Sequence, residues 1–298
     1  MKFSNSVYLE LNYWRFFEYF PTTVELWLVM PFEISFKQFM SRLEKLKGIE
    51  ILKIGNEDRV VIKRYKDKIR SFLNRREIFR KKINNPRLKV FLMLAKKIGF
   101  TSLIGLSGSL AYGVAKTSDD FDLFVITQKN RLWISRFVLN ILAVLLFLKR
   151  KTNVKKAKDK VCLNLFFDFS SLKISKIKQT EYVAREIISL RVYYDNNNTW
   201  LSFINQNRWI YSFFPNFKNH LDFAYDLDFS FKTNRTVFDF FIDYLNIFLG
   251  KLQLIKIKHN KIKNEKIFKS QLWFHPNDFE KFYEKLRLKA LYMSENNL

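Results

Sequence analysis

The chain carries one cysteine, Cys162, in 298 residues. That excludes an internal disulfide framework and fits a reducing compartment, so a cytoplasmic setting is expected. Glycine (7) and proline (5) are scarce, which argues for long helices and few loops rather than a β-sandwich. The N-terminus has no charged n-region followed by an apolar h-region, so no signal peptide is read there. One apolar segment, Trp133 to Leu148, needs checking as a membrane span. Its 16 residues give roughly 24 Å of helix, short of the ~30 Å hydrocarbon core. It also places Arg136 and Asn140 on one helical face. It reads as a largely buried globular helix, and no stable membrane insertion is expected.

What is abundant is apolar and basic. Hydrophobic residues make up 48% and aromatics 17%, with 33 phenylalanines. That is enough for real cores and too apolar for a disordered chain. Basic residues outnumber acidic ones 53 to 28, a net charge of +25. Such a balance points to a polyanion partner (nucleic acid, a nucleotide or an anionic membrane), or to genome-wide compositional bias. Local clusters say more. Residues 63–89 hold twelve Lys/Arg against Asp67 and Glu77, and residues 251–270 hold seven Lys against Glu265.

Periodicity divides the chain into four stretches. Residues 1–65 read as a small helix–helix–hairpin unit. Thr22 or Thr23 serves as N-cap before Val24-Glu25-Leu26, and positions 36, 39, 40, 43 and 46 follow helical spacing. Ile49–Ile54 and Arg59–Ile62 flank Gly55-Asn56-Glu57-Asp58 as a hairpin. This outline is that of a winged helix. Residues 66–98 form one or two basic helices broken near Asn84-Asn85-Pro86. Residues 99–178 run strand, tight turn, short helix, strand, helix, strand. Residues 179–298 turn helical, with periodic windows at 180–191, 197–206, 236–252 and 278–292.

The chemistry is concentrated in the third stretch. An apolar strand ends in Gly108-Ser109, ten residues intervene, and Asp120-Phe121-Asp122 opens a second apolar strand. Residues i and i+2 of a strand share a face, so Asp120 and Asp122 lie ~6.6 Å apart along it. Both can reach a pair of divalent ions about 3.5–4 Å apart, which would clamp the attacking and leaving oxygens of an in-line displacement. Mg²⁺ suits such a site, with Mn²⁺ as the alternative. Gly108 lets the backbone approach a triphosphate, and Ser109 at a helix N-terminus offers its hydroxyl and amide.

The Gly-Ser pair, short helix and Asp-hydrophobic-Asp strand resemble the signature of the DNA polymerase β-like nucleotidyltransferase superfamily. The resemblance implies an α+β fold with a mixed-sheet nucleotidyltransferase palm, preceded by a winged-helix-like segment and followed by a helical region. It implies transfer of a nucleoside monophosphate from an NTP to an acceptor hydroxyl. The third carboxylate of such sites matches Asn164, in the strand Lys160 to Asp168. An amide coordinates a metal weakly and cannot act as a base. Asp168 shares that face but lies ~13 Å on, and Asp119 should face away from Asp120. Nucleic acid is a partner expected through the basic residues 63–89.

Other readings compete. Val114-Ala115 separate Gly113 from Lys116, so a P-loop cradle does not close. The Asp-Phe-Asp triplet alone fits a nucleotide-sugar glycosyltransferase, but leaves Gly-Ser unexplained. A purely structural reading makes Gly-Ser a turn and the aspartates solvated strand ends. A further reading is a catalytically weak palm that acts as a nucleic-acid- or nucleotide-binding module. Cys162 reads as a buried small hydrophobe, His275 as a packing residue, and Arg208 as a weak phosphate candidate. His220 and His259 have no companion that would make a zinc site.

Overall fold

The computed structural model describes residues 2–150, 157–218, 237–259, 266–268, 270–273 and 279–295. For Asn164, residues 237–239, 256, 258, 259 and 266–268 it describes the backbone course alone. His220 and His275 fall outside the described residues.

The first helix, α1 (Phe3–Arg15), is buried at every position from Ser6 to Trp14. Such a helix shows no 3.6-residue alternation, which is why the sequence pattern does not reveal it. Helix α2 (Thr23–Leu28) starts with a reciprocal capping box. The Thr22 hydroxyl accepts from the Glu25 amide at 3.1 Å, and the Glu25 carboxylate accepts from the Thr22 amide at 2.7 Å. Each satisfies a donor that helix geometry leaves open. Helix α3 (Phe36–Leu43) is capped the same way by Ser35 and Gln38. Strands β1 (Ile49–Ile54) and β2 (Glu57–Ile62) pair antiparallel across Gly55-Asn56. The turn is thus two residues shorter than the sequence suggests, because Glu57 and Asp58 continue the ladder.

Helices α4 (Ile69–Ile83) and α5 (Pro86–Ile98) follow, divided where Asn85 caps Pro86 as expected. Then come β3 (Thr101–Leu106), the four-residue α6 (Gly108–Ala111), β4 (Phe121–Thr127), α7 (Leu132–Leu145) and β5 (Val161–Asp168). This is the order read from the sequence. Beyond it lie α8 (Glu181–Ile188), β6 (Arg191–Asp195), α9 (Thr199–Gln206), α10 (Val237–His259), β7 (Lys266–Phe268), β8 (Gln271–Trp273) and α11 (Phe279–Glu295). The stretch after residue 178 is therefore not purely helical. It contributes β6, β7 and β8 to the main sheet.

The architecture is mixed α+β. Six strands run in the order β6-β3-β4-β5-β8-β7, with β4 and β5 parallel and every other neighbouring pair antiparallel. Alternation along β4 feeds two cores. Phe124 and Ile126 join a cluster with α1, α2, β2, α8 and α9, while Leu123 and Val125 join one with α5, α7 and α10. A buried charge network ties α1 to α8 and α11. Arg185 lies 2.9 Å from Glu10, and Arg287 lies 2.6 Å from Glu10 and 3.0 Å from Glu181. No helix among the described residues is long and apolar enough to cross a membrane. Helix α7 buries Trp133, Ile134, Leu139 and Leu142 but exposes Phe137, Ile141, Val144 and Leu145, so only one of its faces fits the buried reading.

Candidate metal centre

The centre of the sheet positions the carboxylates. Strand β3 is buried throughout and ends at Leu106. The Ser107 amide donates to the Asp122 carbonyl at 3.0 Å, and the chain then turns at Gly108 with φ +61°. A Cβ on Gly108 would stand 3.1 Å from Asp122 Oδ2. Backbone conformation and close approach therefore both call for glycine. On the other side β4 pairs with β5 in parallel, setting Asp122 opposite Cys162. Asp120 directly precedes β4, whose first residue, Phe121, donates its amide to the Lys160 carbonyl at 2.7 Å.

The outcome is a compact group. One ligand atom from each of Asp120, Asp122 and Cys162 lies within 4.8 Å of the others. Arg150 reaches in from the end of the α7 segment. Its Nη1 donates to Asp120 Oδ2 at 2.6 Å and to Cys162 Sγ at 3.0 Å. Burial pushes the Asp122 carboxyl up to about 7, with Asp120 adding to the rise and Cys162 and Arg150 opposing it. Burial also raises the Cys162 thiol well above its usual value, with both aspartates contributing. The sulfur is therefore a protonated neighbour of Asp122. Reading Cys162 as a mere space-filler accounts for its burial and misses this contact.

Glu186 also belongs here, although the sequence does not single it out. It comes from α8, far along the chain, and its carboxylate accepts the Gly108 amide. Burial raises it to about 7, against the pull of Arg185 and of that amide. It contributes to the rise at Asp122, so the two acids sense each other. The one sequence signal was a charged pair, Arg185-Glu186, inside an otherwise apolar turn. Glu186 and Ser107 also line a cavity of about 60 Å³ walled by Phe124, Phe203, Trp200 and Trp273.

Several expected residues have other partners. The Ser109 hydroxyl donates to Asp119 Oδ2 at 2.9 Å, and the Lys116 amide donates to the same oxygen at 2.8 Å. Asp119 thus closes the loop between α6 and β4, as its orientation away from Asp120 suggests. Asp168 is a structural clamp. It accepts from the amides of Asn130, Arg131 and Ser170 at 3.0, 3.1 and 2.9 Å, which fixes the entry to α7. Asn164 lies in β5, and its side chain is outside the described residues. Arg208 bonds Asn205 at 3.3 Å.

The basic stretch 63–89 splits in two. Nine of its twelve Lys/Arg are exposed, which leaves most of that charge facing solvent. Lys82 is buried and donates to the Asp119 carbonyl at 2.7 Å and to Asp159 Oδ1 at 2.6 Å. Arg75 is also buried and bonds the Phe17 carbonyl. Lys82 braces the loop that carries the acids and Arg75 ties α4 to the turn after α1, so neither is available to a polyanion.

Comparison of the chain with protein-family models, with curated proteins and with solved structures gives no match in any of the three. The functional reading rests on these residues.

Proposed function

We propose that the chain is a metal-dependent nucleotidyltransferase of the DNA polymerase β-like kind, moving a nucleoside monophosphate from an NTP to an acceptor hydroxyl. One observation carries the reading: ligand atoms of Asp120 and Asp122 come within 4.8 Å of each other, with Asp122 against Gly108, the glycine of the turn that follows β3. Two half-buried carboxylates that repel each other, one of them pushed up to about 7, form a donor set that favours a divalent cation. Oxygen donors beside a protonated thiol fit Mg²⁺ or Mn²⁺ better than a thiophilic ion. Asp120 and Asp122 would hold the metal, which supplies positive charge to phosphate oxygens.

The chain's own residues would do the rest. Gly108, by lacking a Cβ, lets the Asp122 carboxylate come close to the turn. Ser109 steadies the loop through Asp119, a supporting task in place of the direct phosphate contact. Arg150 sits at the acidic pair with its guanidinium, a fork suited to phosphate once the aspartates take a cation. Glu186, titrating near 7 beside Gly108, would take the proton of the acceptor hydroxyl, which an amide at position 164 cannot do. The finer fold reading, a palm with a winged-helix-like segment in residues 1–65, is part of this proposal, as is nucleic acid as a partner of residues 63–89.

The test offers α-labelled ATP, GTP, CTP and UTP with Mg²⁺ or Mn²⁺ to total RNA, to protein lysate and to no acceptor. Label incorporated by the native chain, and not by Asp120→Ala/Asp122→Ala, supports the enzyme. A second reading, a nucleotide-binding module without turnover, is favoured by the Arg150–Asp120 ion pair, which already neutralises the site. It is supported by metal-dependent nucleotide binding without incorporation.

A further inference from the structure

Helix α10 turns its polar residues inward. Asn246 Oδ1 accepts from the amides of Trp133 and Ile134 at 2.9 and 3.0 Å. Gln253 donates to the Trp133 carbonyl at 2.8 Å and accepts from Arg136 at 2.7 Å, and Asp243 pairs with Arg131. The absence of a side chain at Gly250 lets the helix settle on Trp133, whose ring carbon a Cβ would meet at 2.8 Å.

Its apolar residues go outward. Phe240, Phe241, Tyr244, Ile247, Phe248 and Leu252 are all exposed, Tyr244 by 72%. At 100° per residue these positions, with Ile255, occupy an arc of about 140°. Lys251 is the one charged residue of that arc between positions 240 and 255. A helix facing water shows the reverse pattern. Helix α7, packed beside it, exposes Phe137, Ile141, Val144 and Leu145, which share an arc of about 100°. A contiguous apolar face of this kind marks an interaction surface.

Charge selects the occupant. Arg131, Arg136 and Arg150 are tied to Asp243, Gln253 and Asp120, but the outward arc of α10 carries Lys251 and Lys258 by position, with Lys256 at its edge and no acid, within a chain of net charge +25. Two copies meeting at this face would set like charge against like charge. Nucleic acid would answer the charge and stack bases on the rings, but would leave the exposed aliphatic residues Ile247, Leu252, Ile141, Val144 and Leu145 wet. An anionic bilayer answers both, because rings and aliphatic side chains enter the headgroup–acyl boundary while lysines stay at phosphate level. We propose that the outward face of α10, with the adjoining face of α7, seats the protein on the surface of an anionic membrane. This inference does not depend on the nucleotidyltransferase reading.

The experiment is flotation of the full chain with vesicles of phosphatidylcholine alone and with phosphatidylglycerol added at about three in ten lipids. Light scattering of the chain without lipid runs in parallel. The native chain is expected to float with the anionic vesicles and much less with the neutral ones. Phe241→Ser/Phe248→Ser alters two exposed positions and should weaken partitioning roughly a hundredfold, at about tenfold per ring. Lys251→Glu should weaken anionic binding several-fold and leave neutral binding unchanged. That variant still decides the matter if the double variant misfolds. No flotation, or flotation indifferent to all three substitutions, overturns the proposal. So does a dimer in solution that the double substitution dissolves, since the face would then belong to a second copy.

Discussion

A Cβ placed on Gly108 would come within 3.1 Å of Asp122 Oδ2, so the backbone of one strand end and the carboxylate of the next strand leave no space between them. Gly108 also holds φ +61°. Gly108→Ala is therefore expected to cost about 1–2 kcal/mol from backbone conformation alone and to shift Asp122 away from Asp120. Urea denaturation reads the first effect. Loss of any Mg²⁺-induced rise in Tm reads the second. A variant as stable as the native chain would show that the turn is less constrained than its geometry indicates.

Arg150 competes with any cation at Asp120. The two side chains are 2.6 Å apart and mostly buried. Arg150→Ala should make the metal-free protein slightly less stable, by up to about 1 kcal/mol. It should also strengthen divalent-cation binding several-fold, as read by calorimetry without nucleotide. If Arg150 serves phosphate when nucleotide is bound, the same variant should bind NTP more weakly. Equal losses in both titrations would mean that Arg150 only holds the fold.

The acids predict a pH response of definite sign. Asp122 and Glu186 rise to about 7 from ordinary values of 3.8 and 4.5, with burial the first cause at each. A carboxyl raised in the folded state binds its proton more tightly folded than unfolded. Its stabilisation is complete at low pH and is lost as pH climbs from the unfolded value to the folded one. Without divalent cation, the native chain should therefore lose stability between about pH 4 and pH 7 relative to Asp122→Asn and Glu186→Gln. Mg²⁺ should raise Tm more at pH 8 than at pH 5.5, since the cation replaces those protons. Parallel native and variant curves across that range would contradict the assignment.

The charge network between α1, α8 and α11 should be costly to break. Arg185 and Glu10 are almost fully buried and 2.9 Å apart, with Tyr13, Trp14, Phe214 and Tyr283 around the guanidinium. Arg185→Met fills much of the volume but leaves Glu10 with Arg287 alone. A loss on the order of 3–5 kcal/mol is expected in denaturant titration. Arg185 neighbours Glu186, so a drop in cation affinity should accompany it.

Some of this was legible in the sequence for identifiable reasons. Strands β3, β4 and β5 are apolar runs bounded by Gly, Asp and Lys, α2 shows through its Thr N-cap, and α3 shows through the helical spacing of its apolar positions. Helix α1 left no periodic trace because both its faces are buried. Strands β7 and β8 are three residues each, too short for a period of two to register. Strand β6 sits between two helical windows and earns its place by pairing with β3. In the site, Gly108, Asp120 and Asp122 are local in sequence and could be read there. Cys162 arrives through the β4–β5 register, and Arg150 and Glu186 arrive through packing, which a single sequence does not encode in its spacing.

The central claim is that Asp120 and Asp122 bind a divalent cation together with a nucleotide. A Mn²⁺ titration of the full chain, followed by electron paramagnetic resonance of the free ion with and without a non-hydrolysable NTP, tests it most directly. The account expects saturable binding that tightens at least tenfold with the nucleotide and is abolished in Asp120→Asn/Asp122→Asn. Mn²⁺ that stays free at millimolar protein and nucleotide, or binding that survives the double substitution unchanged, would contradict it.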